Sequence, residues 1–371
     1  MPVSAQGLYS VSAPAQVAII GDGRQNLAVA SMLAASGHSV RLWSIDGNVP
    51  AECEVRERNA RIGQVRSRID FAVVSDKLED ILKSSPLLFL SVPASEYSAS
   101  IAGLNSYLAN GQTIVLVDAP LGAALQFSRE LGAVAPELQL NILEMGIPFD
   151  SARIEGEVAL ITGPRKRISI CGLTRNETRR SLASVGQLWQ GLVPASNVLE
   201  RGFNDVERIL RGSMRLFKIV EGRTFDSRSA TGALSQVMLS ICSAIDMEVS
   251  AVAKKLAVPF QSAAQALIDY CGASGRSFAE IVASVSAVLM PGIDGDGSQE
   301  MRDKLQREIC ETFVLIEELA RLARCPVPIT DSIIELASVA TERDLRKEGR
   351  GLSTLGLVGV DVPELIEFIN K

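Results

Sequence analysis

One segment of this sequence carries residue types at a spacing suited to gripping a phosphate. It reads Val17-Ala18-Ile19-Ile20-Gly21-Asp22-Gly23-Arg24-Gln25-Asn26-Leu27-Ala28. An apolar run ends on Gly21 and a helical pattern opens after Gly23, so the two glycines stand where a strand turns into a helix. Glycine at 21 permits a tight turn, and glycine at 23 lets a pyrophosphate approach the amides of a helix N-terminus. This is the chemistry of a dinucleotide-binding turn, with Arg24, Gln25 and Asn26 in its first helical turn. Asn26 replaces the third glycine of the fingerprint, which predicts looser packing of helix on strand. Two glycines also occur in ordinary strand-to-helix turns. The position of this pair, at the first such junction of an alternating domain, favours the dinucleotide.

The end of the second strand should present the residue that meets the adenine ribose. Ser44 stands there, after Trp43, with Asp46 two residues on. An uncharged serine leaves room for a 2′-phosphate and Arg24 offers a cation, so NADPH is the expected cofactor. NADH stays open through Asp46. The single histidine, His38, lies in a turn between the first helix and the second strand and reads as a surface residue away from the cofactor. The chain therefore has no evident histidine acid or base. Asp294-Gly295-Asp296-Gly297-Ser298 begins like a calcium loop but has Gln299 at position 6 and Leu305 at position 12, so no metal is expected.

The elements that must hold these residues follow from periodicity. Gln16–Ile20, Ser39–Trp43, Leu87–Ser91, Thr113–Val117 and Gln139–Leu143 are short apolar runs that alternate with helical stretches. Strict alternation predicts a parallel sheet covered on both faces, with Ile69–Val74 as one more strand. Glu157–Thr162 and Arg167–Cys171, split by Gly163-Pro164, read as strands that extend this sheet in antiparallel sense. Thr178–Leu188 reads as a helix. Beyond about residue 200 every pattern is helical: Leu234–Leu256, Phe260–Tyr270, Ser277–Val288, Met301–Ala323 and Pro328–Leu345. The fold class is an α/β Rossmann-type dinucleotide-binding domain over residues 1–195, followed by an all-α domain over 196–371.

The 371 residues hold 43 acidic against 37 basic side chains, a net charge of −6, with no long basic run. Nucleic acid and anionic membranes are thereby poor partners. No apolar stretch approaches the ~20 residues of a membrane span, and the first basic residue is Arg24, so no signal peptide is expected. The six cysteines are scattered without a C-x-x-C pair, as reduced thiols of a cytoplasmic protein would be. Apolar stretches such as Ile281–Met290 leave a homodimer open.

The helical half resembles a known family. Ala244-Ile245-Asp246-Met247-Glu248, followed by Ala251-Val252-Ala253-Lys254-Lys255-Leu256, is similar to the "LDxERLAVAxAL" helix of the opine (octopine/nopaline) dehydrogenases. Gly349-Arg350-Gly351-Leu352-Ser353-Thr354-Leu355-Gly356-Leu357 looks like their "GRGLSSLGL" signature. Ser91-Val92-Pro93-Ala94, Gly111–Leu116 and Leu199–Asn204 fit the same template, so the likeness spans nearly the whole chain. It implies a Rossmann domain and a helical domain with the active site in the cleft between them, and Val92 and Pro93 beside the cofactor. It also implies reductive condensation: an amino acid and a 2-oxo acid form an imine, which takes a hydride from NAD(P)H.

The family moves protons with a histidine paired to an aspartate. Its "NxNxxxHPP" segment falls on Asn204–Ser213, with the histidine at Leu210 or, one residue on, at Arg211. The acidic partner falls near Glu308. Arginine keeps its proton at any accessible pH, so Arg211 cannot be a general base, though it could clamp a carboxylate or polarise a carbonyl. Three readings stay open: a functional Arg211–Glu308 pair, a structural ion pair with catalysis lost, or a register in which neither serves the site. Asn204 and Glu144 match family positions and are expected to contact substrate. Two other readings remain: a nucleotide-binding sensor without turnover, and a reductase of the ketopantoate or glycerol-3-phosphate type using Lys218 or Lys254.

Overall fold

The computed structural model describes residues 14–21, 23–57, 64–189, 191–221, 236–285, 289 and 299–371. Asp22, the calcium-like segment 294–298 and most of the second half of Ile281–Met290 lie outside the described residues. The chain forms two compact units. One runs through Ala119 and resumes over Ala123–Val198; the other joins Pro120–Gly122 to Leu199–Lys371.

The first unit holds two sheets. Its strands are β1 (Gln16–Gly21), β2 (Ser39–Trp43), β3 (Glu52–Arg56), β4 (Gln64–Arg68), β5 (Val73–Ser75), β6 (Leu87–Ser91), β7 (Thr113–Val117), β8 (Asn141–Met145), β9 (Phe149–Glu155), β10 (Val158–Pro164), β11 (Ile168–Gly172) and β12 (Leu192–Pro194). The helices are α1 (Arg24–Ala35), α2 (Leu78–Leu82), α3 (Tyr97–Leu104), α4 (Ala123–Val134) and α5 (Arg175–Val185). The main sheet has the order β12-β11-β8-β7-β6-β1-β2-β5. Its pairings are parallel except β11 against β8. β6 and β7 are buried along their whole length, which is why they read as unbroken apolar runs. The chain leaves β1 toward β2 on one side, and β6 lies on the other. The strand order therefore reverses between β1 and β6, where open α/β sheets bind ligands beyond the carboxyl ends of their strands.

The second sheet, β4-β3-β10-β9, corrects the sequence reading. β11 does extend the main sheet in antiparallel sense, but β10 instead pairs with β9 and β3. β3 and β4 were hidden by their charged residues; β4 alternates exposed and half-buried positions at a sheet edge. In place of Ile69–Val74 the strand is the shorter Val73–Ser75. Beyond Arg24, α1 has no charged residue, and Ala28, Val29, Ala30, Met32 and Leu33 are all buried. They share one core with Val17 and Phe89 of the main sheet and Cys53, Val55 and Ile161 of the second. A helix apolar on all sides needs cover on all sides, and two sheets supply it. His38 is likewise buried, 3% exposed, and its Nδ1 accepts from the Ala15 N–H at 3.2 Å. Burial lowers its pKa, so the expected surface turn is a neutral histidine in the interior.

The second unit is helical among its described residues. It comprises α6 (Val198–Phe203, whose first residue groups with the other unit), α7 (Val206–Glu221), α8 (Gln236–Lys255), α9 (Ala263–Cys271) and α10 (Phe278–Ser284). After these come α11 (Gln299–Glu308), a π-helical turn (Ile309–Phe313), α12 (Val314–Leu322), α13 (Pro328–Thr341), α14 (Leu345–Glu348) and α15 (Val362–Ile369). Leu210, Met214, Met238, Cys242, Ala266, Leu267 and Val282 form the core beneath α7 to α10. No helix among the described residues is long and apolar enough to cross a membrane.

Candidate functional site

The turn after β1 has the backbone that its glycines predict. Gly21 adopts φ 141°, and a Cβ there would run into the Asn26 side chain and the Ser91 carbonyl. Gly23 caps α1 at φ 93°, and a Cβ there would meet nothing within 4 Å. The first turn of α1 carries no acidic side chain and no side-chain cap. Its amides and its positive dipole end therefore sit at the strand-order switch with no acid among the residues of that turn, which suits a pyrophosphate. Among the described residues no cluster of His, Cys, Asp and Glu could hold a metal.

Asn26 changes the expected loose packing. It is 3% exposed, and its Nδ2 donates to the Ser91 carbonyl at 3.1 Å, so the helix is bonded to β6 where a glycine would merely pack. Arg24 and Gln25 are exposed in the same turn. Val92 and Pro93 follow Ser91 directly and are half-buried. Ser44 is half-buried just past β2, its backbone N–H donating to Ser75 O at 3.1 Å, and Asp46 is exposed. Glu144 is at 0% exposure on β8, and its Oε2 accepts from the Ala124 N–H at 2.9 Å. Glu144, expected to contact substrate, thus also supplies an acceptor for an amide at the N-terminus of α4.

In the helical unit the expected Arg211–Glu308 pair is replaced by two others. Arg215 grips Glu308 with Nε and a terminal nitrogen, both at 3.0 Å. Arg208 donates to Glu311 at 3.0 Å. Gly212 explains the offset. A Cβ on it would stand 2.7 Å from the Phe313 ring, so α7 approaches the π-turn closely there, and Arg208 and Arg215, which reach the acids, flank that contact. Arg211 is half-buried; its only partner among the described residues is the Glu207 carbonyl, which Nε meets at 3.4 Å. Sequence reasoning passed over Arg208, Arg215 and Glu311. The signal was a row of arginines at i, i+3 and i+7 opposite two acids three apart.

The remaining family-like residues hold backbone. Asn204 accepts from Gln261 N–H at 2.8 Å and donates to Pro259 O at 3.5 Å, so both ends of its amide clasp the loop before α9. Asp246 accepts from Ala263 N–H at 2.8 Å, and burial raises its pKa, partly offset by that bond. Glu248 accepts from Ile329 N–H, Thr330 N–H and the Thr330 hydroxyl at 2.7 to 2.9 Å, closing the start of α13. In the Gly349–Gly351 signature, added Cβ atoms would meet Val314 and the Glu318 carboxylate, while Arg350 donates to the Leu121 and Glu311 carbonyls at 3.0 and 2.9 Å. In this chain these signatures are caps and close approaches.

Residues 16–121 match the family described as the NAD-dependent glycerol-3-phosphate dehydrogenase N-terminus. The chain is similar to an opine dehydrogenase of Arthrobacter sp. (strain 1C), 26% identical over 357 residues that cover 92% of this chain and 95% of the relative. An octopine dehydrogenase structure with NADH and L-arginine is 16% identical with a TM-score of 0.69, covering 95% of this chain and 98% of that one. A yersinopine dehydrogenase structure with NADP+ is 12% identical with a TM-score of 0.64, covering 96% and 97%. The resemblance to opine dehydrogenases thus holds along nearly the whole chain, and the fold is theirs.

Proposed function

We propose that this protein is an NAD(P)H-dependent oxidoreductase of the opine dehydrogenase type, reducing the imine formed from an amino acid and a 2-oxo acid. The observation that carries the reading is the acid-free, uncapped N-terminus of α1 at the strand-order switch. Similarity to an opine dehydrogenase over 92% of the chain supports the substrate class. NAD(P)H, when bound, supplies the hydride. Gly21, Gly23 and the first turn of α1 hold the pyrophosphate, with Val92 and Pro93 beside the cofactor. The uncharged Ser44 and the exposed Arg24 favour a 2′-phosphate, hence NADPH over NADH.

Arg211 has the uncommitted guanidinium nitrogens that a substrate carboxylate or carbonyl oxygen needs, and its fork suits either. Its guanidinium polarises the carbonyl while the neutral amine attacks; solvent takes a proton from the attacking nitrogen and delivers one to the carbinolamine hydroxyl, which leaves as water. Glu308, held by Arg215, anchors α7 and thereby the backbone that carries Arg211. Asn204 acts through the loop it clasps. The experiment is incubation with NADPH or NADH and a panel of amino acids and 2-oxo acids, followed by cofactor absorbance and product mass. Cofactor oxidation with an N-(carboxyalkyl) amino acid product is expected; flat absorbance across a broad panel sinks the reading.

A second reading, a dinucleotide-binding sensor without turnover, draws on one observation. The acid expected to serve a catalytic dyad is already doubly bonded to Arg215. Calorimetry separates the two, since tight NADPH binding without turnover on any substrate favours the sensor. A ketopantoate-type reductase would need Lys218, which is buried on α7, or Lys254, which is exposed near the end of α8.

A further inference from the structure

Asp118 follows β7 at φ 52°, a left-handed conformation that a non-glycine side chain holds at a cost. Its Oδ2 accepts from Gln25 Nε2 at 3.3 Å, and the Ser91 hydroxyl donates to Gln25 Oε1 at 3.4 Å. The Gln25 amide is thus held at both ends, by the residue that closes β6 and the residue just past β7. Asn26, its neighbour, bonds the Ser91 carbonyl. The first turn of α1 is bolted through two successive side chains to the carboxyl ends of β6 and β7.

We infer that Asp118 is a positioning residue for the dinucleotide turn, acting through Gln25 and kept in strained backbone for that purpose. The inference rests on the dinucleotide reading proposed above and goes beyond it, to what holds the turn in register. The physical argument concerns the missing third glycine. A glycine there lets helix and strand meet face to face, whereas Asn26 fills that place with a side chain and fixes the spacing by a bond. One bond from Asn26 sets the distance between α1 and β6. The second, from Gln25 to Asp118, sets the rotation of the turn about the β1–β6 edge, and with it the direction of the amides of α1. A left-handed residue places the carboxylate where an extended residue would carry it along the strand axis. Asp tolerates that conformation better than most residues, yet glycine would adopt it at no cost. The retained side chain provides the acceptor that Gln25 uses.

The test uses the full chain, with dinucleotide affinity read from nicotinamide fluorescence for NADPH and NADH, and melting temperature measured in parallel. Asp118→Gly removes the side chain while relaxing the backbone. Its melting temperature should equal or exceed that of the wild type, while affinity weakens about five- to twentyfold. Asp118→Asn keeps an acceptor for Gln25 and tolerates the same conformation, so its affinity should stay within about twofold. Gln25→Ala should match the loss in Asp118→Gly, and the double variant should add nothing further, as expected of two ends of one bond. An Asp118→Gly variant that binds as tightly as the wild type overturns the inference, as does an Asp118→Asn variant that loses as much as Asp118→Gly. A wild-type protein that binds neither dinucleotide removes the functional reading and this inference with it, whereas a binding wild type with unaffected variants removes the inference alone.

Discussion

The N-termini of α1 and α13 face one electrostatic problem and meet it in opposite ways. Each presents unpaired amides and the positive end of a helix dipole. At α13, Glu248 takes two backbone N–H groups and a hydroxyl, and α4 and α9 are closed in the same manner by Glu144 and Asp246. At α1 the cap is a glycine, the first turn has no acid, and the space above Gly23 is open. Three other helix starts are closed by carboxylates from elsewhere in the chain, whereas the first turn of α1 has neither an acid nor a side-chain cap. The comparison also sorts the charged residues of α7, where Arg208 and Arg215 are committed to acids and Arg211 is not.

The largest effect should come from separating committed from uncommitted charge. Arg215→Ala leaves Glu308 unpaired in a site where the two side chains are 4% and 13% exposed. Breaking such a pair costs about 3–5 kcal/mol, seen as a large drop in melting temperature. Arg211→Ala should cost less than about 1 kcal/mol, leave dinucleotide affinity intact and abolish substrate turnover. If both variants lose only stability, the distinction between the two arginines fails. Gly23→Asp comes next, because it gives α1 the acid that α13 already has. Dinucleotide affinity should fall by about 100-fold or more through charge repulsion, and unchanged affinity by calorimetry would break the comparison.

Glu248→Ala reverses that experiment by opening α13. Two orphaned amides there should cost about 1–3 kcal/mol in chemical denaturation while dinucleotide affinity stays unchanged. A variant that loses affinity equally would mean that the caps do not act locally. The smallest effect concerns pH. Burial holds Asp246 above the ordinary carboxylate value, so the folded protein protonates it more readily than the unfolded chain does. Its contribution to stability is present below the ordinary value and is lost as pH rises through the raised one. Asp246→Asn keeps an acceptor for Ala263 and should flatten that slope, read from melting temperatures at pH 4 and pH 7.

The sequence was legible wherever one local rule decided the structure. Period and turn residues located β1, β6 and β7 because central parallel strands are apolar nearly throughout, β2 because its buried residues alternate, and the helical half because its long segments repeat every 3.6 residues. The same rules missed β3 and β4, whose charged residues mask a strand that pairs away from the main sheet. They also set the partner of Glu308 at Arg211 from family register, since one-dimensional spacing cannot say which turn of a helix meets its neighbour.

By itself, then, the sequence determined the dinucleotide turn, because two glycines between a strand and a helix constrain the backbone at the place where they stand. It determined the change from alternating to all-helical architecture and the likeness to opine dehydrogenases for the same local reason. Only tertiary structure decided which charges are spent. Glu144, Asp246 and Glu248 close helices, Glu308 goes to Arg215 because Gly212 lets α7 approach Phe313, and Asp118 reaches Gln25 across two strand ends. Such pairings depend on which surfaces pack together, and these hydrogen bonds join residues 17 to 93 positions apart in the chain, beyond the range of any local pattern.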